Sequence, residues 1–421
     1  MKNGLLFLVL IVPQLLAQQT VHFSLTDCLN RALQYSYRFK GDSTAITISR
    51  LKTKIERSSY FPSVTGEYTH NQLLYPMYNF PQSFFGIGIE WAPGNVLLRS
   101  AQAFQLLAAS SQQQLKATTL SVIRRVSHLY FTILQRETEL QQLHHQIELA
   151  EKHLVVARAL WQAGKGSELA VLQAQNALDA LRARRIIVSM NEDNTKQELA
   201  ALLNIKDYRT ITLEPFAFDI QEATHAFLST PVNVQQHPQV QALRFEEQYY
   251  QERSRLVTRA YLPEMQFQLG YQVDRDPTAE GNYWMAGVAV HIPLFQWGRR
   301  GFQRQLWKAQ LTQIQYRRKQ IQRELSIQAE NLRQRLLKLK ELYTVQSHQL
   351  VTTRKAFQLA QANYQAGLIP HLDYLKAQET LVLNELQQGQ TRLQFLQNLV
   401  DFLLLTGHTE AIPSLTQLNG K

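Results

Sequence analysis

The stretch WQAGKGSELAVLQAQ, Trp161–Gln175, returns near the end of the chain as YQAGLIPHLDYLKAQ, Tyr364–Gln378. Across the wider segments Ala157–Leu178 and Ala360–Leu381, ten of twenty-two positions are identical at an offset of 203 residues. Chance similarity does not produce this agreement, so the chain contains a duplication. Each copy spans about 200 residues, far more than the 20 to 50 residues of a solenoid repeat.

Each copy of the stretch bends a long helix back on itself. No proline interrupts the runs Val96–Trp161 and Arg300–Tyr364, so each predicts a helix of about 100 Å. A glycine at each bend suits the left-handed residue that closes a helix. Before the first bend, residues at alternating spacings of three and four indicate a coiled-coil seam: Leu140, Leu143, Ile147, Ala150, Leu154, Ala157 and Trp161. The sequence predicts two long antiparallel helical hairpins.

Between the helices, the hydrophobic period changes to strict alternation. We predict four amphipathic strands, at residues 63–73, 83–92, 265–274 and 283–292. Their length suits strands that cross a bilayer, although a half-buried soluble sheet would alternate in the same way. Four strands cannot close a barrel, and lipid does not tolerate an open sheet edge. A membrane location therefore requires several chains to share one barrel.

The order of these segments divides the chain into five parts. Residues 1–17 have the layout of a secretory signal peptide, and no later stretch predicts a transmembrane helix. The first repeat is expected over residues 18–205 and the second over 239–407, each a helix, two strands and a helical hairpin. Residues 206–238 hold three prolines and read as a linker or small irregular layer, and residues 408–421 form a C-terminal tail.

The net charge of +11 raises the question of a nucleic-acid partner. Between Arg299 and Lys340 there are twelve Lys or Arg against two Glu. These charges are spread along a helix in a chain that carries an export signal. We therefore expect no nucleic-acid partner, and instead a solvated face or contact with acidic lipid or a protein. Cys28 is the only cysteine, so no internal disulfide forms, and we expect a buried structural thiol.

Motifs for catalysis are missing from the sequence. There is no H-E-x-x-H, no pair of cysteines, and no phosphate-binding glycine loop after a strand. The helical histidines do not place two metal ligands four residues apart on one face. We therefore predict no catalytic residue, no cofactor and no metal site, and we do not expect an enzyme.

The order of the motifs resembles the outer-membrane efflux protein family of Gram-negative bacteria, the TolC-like channels. The resemblance rests on SLTDCLNRAL (Ser24–Leu33), the YFP and YLP breaks at Tyr60 and Tyr261, VHIPLFQWGRR (Val290–Arg300) and the doubled QAG bends. It implies a homotrimer in the outer membrane, in which four strands per protomer form a twelve-stranded β-barrel. The hairpins of such a protein form an α-barrel in the periplasm. The implied partners are a periplasmic adaptor (membrane fusion protein), an inner-membrane pump and outer-membrane lipid.

The resemblance also implies roles for the two bends. Asp373, just after the second bend, falls at a position that lines an acidic periplasmic aperture, or gate. The first copy has Ala170 there, and Lys376 stands where relatives can carry a second aspartate. A carboxylate in the first turn also favours a helix through the macrodipole alone, which is the alternative explanation. The implied adaptor-docking tips are Gly164, Lys165, Gly166, Ser167, Gly367, Leu368, Ile369 and Pro370.

These inferences combine into one expected protein. The fold class is mainly α with a membrane β-barrel part and an internal two-fold repeat. The expected function is the exit duct of a tripartite efflux pump or type I secretion system, which conducts substrates passively to the exterior. The alternative is an exported periplasmic coiled-coil protein with a structural or adaptor role. Strands of membrane-spanning length favour the channel.

Overall fold

The computed structural model describes residues 21–58, 60–74, 79–92, 95–214, 220, 232–259, 264–275, 281–292, 294–295, 297–409 and 411–414. The predicted signal peptide, residues 1–17, lies outside the described residues, as does the end of the predicted tail from residue 415. Helices and one four-stranded sheet make up most of the described chain. The predicted fold class, mainly α with a small set of strands, is confirmed.

The first copy runs from a short strand to a helical hairpin. Its elements are β1 (Val21–Phe23), α1 (Leu25–Tyr35), α2 (Tyr37–Ser58), β2 (Ser63–Leu74), β3 (Asn79–Trp91), α3 (Asn95–Gln162) and α4 (Glu168–Leu203). Ser24 and Asp27 form a capping box at the start of α1. The sequence predicts one helix from Ser24 to Ser58, but the helix breaks at Ser36. The Ser36 hydroxyl accepts a hydrogen bond from the Phe39 N–H at 3.2 Å, which caps a new helix.

The second copy repeats this order of helix, strands and hairpin. Its elements are β4 (Ile211–Leu213), α5 (Pro238–Arg259), β5 (Glu264–Arg275), β6 (Gly281–His291), α6 (Arg299–Gln365), α7 (His371–Thr406) and α8 (Ala411–Ser414). Strand β4, in the predicted linker, pairs in parallel with β1. The sequence did not indicate either strand, because three residues are too few to show an alternating pattern.

The long helices match their sequence predictions within one residue at each end. Helix α3 has 68 residues and α6 has 67, so each is about 100 Å long. Helix α3 packs against α4, α6 packs against α7, and α5 lies against both long helices. Among the described residues, none of the helices combines the length and the apolar character that crossing a bilayer requires.

The main hydrophobic core lies where the two copies meet, far from the hairpin bends. It is built from β1, α1, β4 and the adjoining parts of α3, α4, α6 and α7. Cys28 is fully buried there, as the sequence predicts, and burial raises the pKa of its thiol to about 12. The largest buried side chains of this core include Tyr130, Phe131, Phe395 and Phe402. This core fixes the base from which both hairpins extend.

The four long strands form one antiparallel sheet in the order β2-β3-β5-β6. The register places most of the apolar side chains of the four strands on one face. Across the sheet, Tyr68 lies opposite Phe85, Phe85 opposite Val273, and Tyr271 opposite Trp284. The other face carries mostly polar and small residues, including Glu67, Glu90, Gln268 and Gln272, together with Phe84, Tyr283 and Met285. The apolar side chains remain exposed in the single chain; Trp284, for example, is 73% exposed.

Candidate functional site

The two bends have the same backbone geometry. In the first, Gly164 has φ +72° and the Lys165 N–H donates to the Leu160 carbonyl at 2.8 Å. In the second, Gly367 has φ +73° and the Leu368 N–H donates to the Asn363 carbonyl at 2.8 Å. This is the Schellman pattern that closes a helix with a left-handed residue. The predicted role of both glycines as helix terminators is confirmed.

The residues that restart the helices differ between the bends. Ser167 precedes α4, and its hydroxyl accepts a hydrogen bond from the Ala170 N–H at 3.2 Å. Pro370 precedes α7 and provides no side-chain cap. Gly166 is packed tightly, because a Cβ atom there would lie 3.1 Å from the Trp161 nitrogen. The first bend is therefore closed by a polar cap, and the second by proline alone.

Most of the predicted tip residues are exposed. In the first bend, Gly164, Lys165, Gly166 and Ser167 are all exposed. In the second bend, Gly367, Leu368 and Pro370 are exposed and Ile369 is half-buried; Leu368 reaches 73% exposure. An exposed leucine at a helix end gives the second tip an apolar contact surface that the first tip, with Lys165 at the equivalent position, does not have.

Asp373 lies in the first turn of α7 and is exposed to solvent. Among the described side chains, no hydrogen bond or ion pair reaches its carboxylate. Its neighbour Tyr374 points the other way and is 3% exposed. Lys376, one turn further, is also exposed. In a single chain, Asp373 therefore presents a solvated negative charge just behind the second bend.

A cluster of stacked rings next to Asp373 joins the two hairpins. His153 of α3 is 8% exposed, and it stacks on Tyr364 and Tyr374 with ring centroids 5.0 and 4.5 Å away. Tyr364 and Tyr374 stack on each other at 5.3 Å, and Phe357 lies 5.7 Å from Tyr374. Burial raises the pKa of Tyr374, and the charge of Tyr364 adds to this. Burial alone raises the pKa of Tyr364.

Sequence reasoning missed this cluster. It considered the helical histidines as metal ligands, for which their spacing is wrong, and it did not select Tyr374. The available signal was the replacement of Val171 in the first copy by Tyr374 in the second. Spacing within one helix does not show which helix of the other copy faces that side chain, so the contact could not be derived.

Nothing in the described part of the chain has the composition of a metal centre. Within those residues, no group of three or more His, Cys, Asp and Glu side chains is placed to hold an ion. The features that the structure brings together are two exposed tips, a carboxylate behind one of them, and a sheet with a mainly apolar face.

Comparison with known proteins agrees with this architecture. Residues 233–408 match the family model described as outer membrane efflux protein. The fold is similar to that of CusC, with TM-score 0.81, 14% identity and coverage of 92% of this chain and 93% of that one. It is also similar to the Campylobacter jejuni CmeC outer membrane channel, with TM-score 0.78, 15% identity and coverage of 91% and 86%.

A third similar structure is the open state of the Neisseria gonorrhoeae MtrE outer membrane channel. Its TM-score is 0.77 at 15% identity, and the alignment covers 91% of this chain and 88% of that one. No curated protein sequence matches the chain. At these identities, the structural similarity establishes the fold, and the family model matches the second copy of the repeat.

Proposed function

Because residues 233–408 match the family model described as outer membrane efflux protein, we propose that the chain is the outer-membrane exit duct of a tripartite efflux pump or type I secretion system. The observation that carries this proposal is the sheet β2-β3-β5-β6. Its four strands share a mainly apolar face, and two helices about 100 Å long extend from one end of it, each paired near its far end with a returning helix of 36 residues. A coiled-coil adaptor has no use for such a sheet, and no observation favours that alternative.

The two edges of the sheet support assembly into a closed barrel. Strands β2 and β6 occupy the edges and run in opposite directions, so β6 of one copy can pair with β2 of the next in the same antiparallel pattern. Lipid does not tolerate unpaired edges, and known barrels have at least eight strands. Two copies would give eight strands and three copies twelve. The family resemblance favours the trimer.

The decisive experiment for this assembly is fractionation of cells that express the full chain. We expect a detergent-requiring trimer in the outer-membrane fraction whose electrophoretic mobility changes on heating, and which forms conducting pores in planar bilayers. A monomer recovered from the periplasm without detergent would disprove the channel and revive the adaptor alternative.

We further propose that Asp373 forms an acidic ring at the periplasmic aperture. The support is its exposed position behind the second bend and the absence of a carboxylate at Ala170 in the first copy. In a trimer, three converging carboxylates attract cations and repel one another, so closure becomes sensitive to cations and pH. The test is a single-channel recording of Asp373→Asn, with Glu168→Gln as matched control, because Glu168 is an exposed acid in the first turn of α4.

We expect Asp373→Asn to weaken block by divalent cations and to flatten the pH response of conductance. The Glu168→Gln channel should behave like the wild type. If Asp373→Asn leaves both properties unchanged, its carboxylate only stabilises the helix N-terminus and the aperture lies elsewhere.

The tips are proposed to bind the periplasmic adaptor, which couples the duct to an inner-membrane pump. Because Cys28 is fully buried, a cysteine introduced at Lys165 or Leu368 would be the only accessible thiol. We expect Lys165→Cys and Leu368→Cys to cross-link to the adaptor in cells. Ile186→Cys, exposed on α4 well behind the tip, is the matched control and should not react. Cross-linking at Ile186 but at neither tip would reject tip docking.

A further inference from the structure

The connection from β6 to α6 carries three strongly exposed large apolar side chains. Leu294, Phe295 and Trp297 are 90%, 71% and 86% exposed. The rings of Phe295 and Trp297 meet edge to face, with centroids 4.9 Å apart. A contiguous exposed apolar surface of this kind marks a site of interaction. The exposed surface therefore needs an occupant outside the single chain.

The backbone at Trp297 strengthens this conclusion. Trp297 has φ +46°, in the left-handed region that bulky residues rarely adopt. Glycine would make the same turn without strain, as Gly298 does next to it with φ +77°. Strained residues cluster at functional sites, and here the turn itself does not account for a tryptophan. We infer that the exposed indole makes a contact with a partner outside the chain.

The position of the connection identifies the occupant as lipid, given the proposed function. The connection leaves the sheet at the end where the helices begin. At that same end, Trp91 and Phe267 lie on the apolar face with ring centroids 5.7 Å apart, and Phe61 is 70% exposed. A band of aromatic side chains at one end of lipid-facing strands marks the boundary between acyl chains and headgroups. Phe295 and Trp297 extend this band.

Charge then selects the kind of lipid. Helix α6 begins with Arg299 and Arg300, Arg304 follows, and the first turn contains no acidic residue. Cations at a helix N-terminus are unfavourable because the helix dipole is positive there, so helix formation does not explain them. Guanidinium groups bind phosphate in a bidentate manner. In the first copy the connection Ala92-Pro93-Gly94 has no aromatic residue, and α3 begins with Asn95 and Val96 and has its first arginine only at Arg99.

We propose that Leu294, Phe295, Trp297, Arg299, Arg300 and Arg304 form a binding site for anionic phospholipid in the leaflet on the helix side of the membrane. The aromatic side chains lie at the level of the headgroups, and the arginines bind the phosphates. This inference rests on the proposed function, because it requires the sheet to stand in a bilayer. One such site per copy would fix the depth of the barrel and the exit angle of α6.

The test uses the full chain reconstituted into phosphatidylcholine vesicles that contain either brominated phosphatidylglycerol or brominated phosphatidylcholine at equal mole fraction. Bromine quenches tryptophan on contact, and the difference in quenching between wild type and Trp297→Phe isolates the signal of Trp297. We expect the anionic lipid to be enriched about fivefold at Trp297, and Arg299→Gln/Arg300→Gln to reduce this preference to about onefold. Inorganic phosphate at millimolar concentration should leave the preference intact.

The matched control is Arg317→Gln/Arg335→Gln, which removes two exposed charges from the same helix at a distance from the sheet. It should keep the full lipid preference. Equal quenching by both lipids, loss of preference in the control, or competition by free phosphate would overturn the proposal. Complete protection of Trp297 from both lipids would also overturn it, since another copy of the chain would then cover the site.

Two further measurements separate this inference from its premise. Trp284 lies on the apolar face of β6. If no brominated lipid quenches any of the protein's emission, the sheet is not in the bilayer and the proposed function fails. If Trp284 is quenched and Trp297 is not, only the lipid site fails. Trp297→Gly removes the strain, so it should fold normally and weaken the preference; a variant that fails to fold would instead assign the tryptophan a structural role.

Discussion

The two helical hairpins have the same bend and different interiors. Near the first bend, the seam between α3 and α4 is aliphatic; its buried residues there are Ile147, Ala150, Leu154, Ala157, Ala174 and Leu178. Polar contacts between these helices, such as that of Arg136 with the buried Thr195, lie further from the bend. Between α6 and α7 part of the seam is polar. There the buried amide of Asn384 donates to the Thr353 hydroxyl at 2.8 Å and accepts from the Gln349 amide at 3.3 Å, and the Gln388 amide donates to the Ser347 hydroxyl at 2.9 Å.

The difference shows that two copies of one hairpin can be stabilised in different ways. An aliphatic seam is stabilised by burial, which depends little on direction. A polar seam loses the free energy of desolvating its groups and regains it only when the hydrogen bonds form in one register. The second hairpin is therefore held by a few specific contacts, including the stacked rings of His153, Tyr364 and Tyr374. Those contacts lie next to Asp373.

The largest expected effect comes from removing the central ring of that cluster. Tyr374→Ala deletes a buried aromatic side chain and should destabilise the docking of the second hairpin by about 3 kcal/mol or more. The matched variant Val171→Ala changes the equivalent, half-buried position of the first hairpin, and we expect about 1 kcal/mol there. Hydrogen exchange of residues 371–385 and 168–182 measures the two effects separately. An equal increase in the exchange rates of both hairpins would contradict the conclusion that the second hairpin depends on the ring cluster.

A smaller effect, identical in the two hairpins, is expected at the bends. Gly164→Ala and Gly367→Ala each place a side chain in the left-handed region, which costs about 1 to 2 kcal/mol. A Cβ atom at either position meets nothing within 4 Å, so backbone strain is the whole cost. Thermal unfolding should shift to lower temperature by the same amount in both variants. A difference of more than about 1 kcal/mol between them would show that the two bends are not equivalent.

The helix caps should break that equivalence. Ser167→Ala removes the hydrogen bond to the Ala170 N–H and should destabilise the start of α4 by about 1 kcal/mol. Pro370→Ala removes no cap at the start of α7, so its effect on α7 should be a few tenths of a kcal/mol. Exchange rates of the first-turn amides of each helix would show the contrast. If both variants fray their helices alike, the Ser167 hydroxyl contributes no net stability.

The bends and long helices could be predicted from the sequence because their causes are local. Gly164 and Gly367 adopt the left-handed conformation that glycine favours. The alternating spacing of three and four residues can be read from the sequence of a single helix. The four long strands followed from alternation in the same way. The break at Ser36 was missed because the residue type alone does not distinguish a serine that caps a helix from a serine inside one.

The remaining errors concern contacts between distant parts of the chain. Pairing of β1 with β4 joins residues 190 positions apart and involves too few residues to leave a pattern. The stack of His153 on Tyr374 depends on how one hairpin lies against the other. The conformation of Trp297 could not be predicted, because its residue type argues against the left-handed φ that the structure shows. In each case, tertiary placement decided what local preference could not.

The smallest effect is expected from alkaline pH, and it should concern the second hairpin. Burial raises the pKa of Tyr374 and of Tyr364 above their usual value of 10.0. Above about pH 10, the undocked hairpin loses these protons while the docked one retains them, so docking is fully stable below pH 10 and weakens as the pH rises further. The first hairpin has Trp161 and Val171 at these positions, and neither ionises.

The measurement is thermal unfolding between pH 9 and 11, with tyrosinate absorbance followed in parallel. Tyr374→Phe should lose less stability over this range than the wild type, and the control Tyr316→Phe, at an exposed tyrosine, should follow the wild type. The buried Cys28 thiol also destabilises the core above pH 9, but equally in all three proteins. Identical slopes of unfolding temperature against pH for Tyr374→Phe and wild type would mean that the ring cluster opens to solvent before the tyrosines ionise. The seam next to Asp373 would then be held by its hydrogen bonds alone.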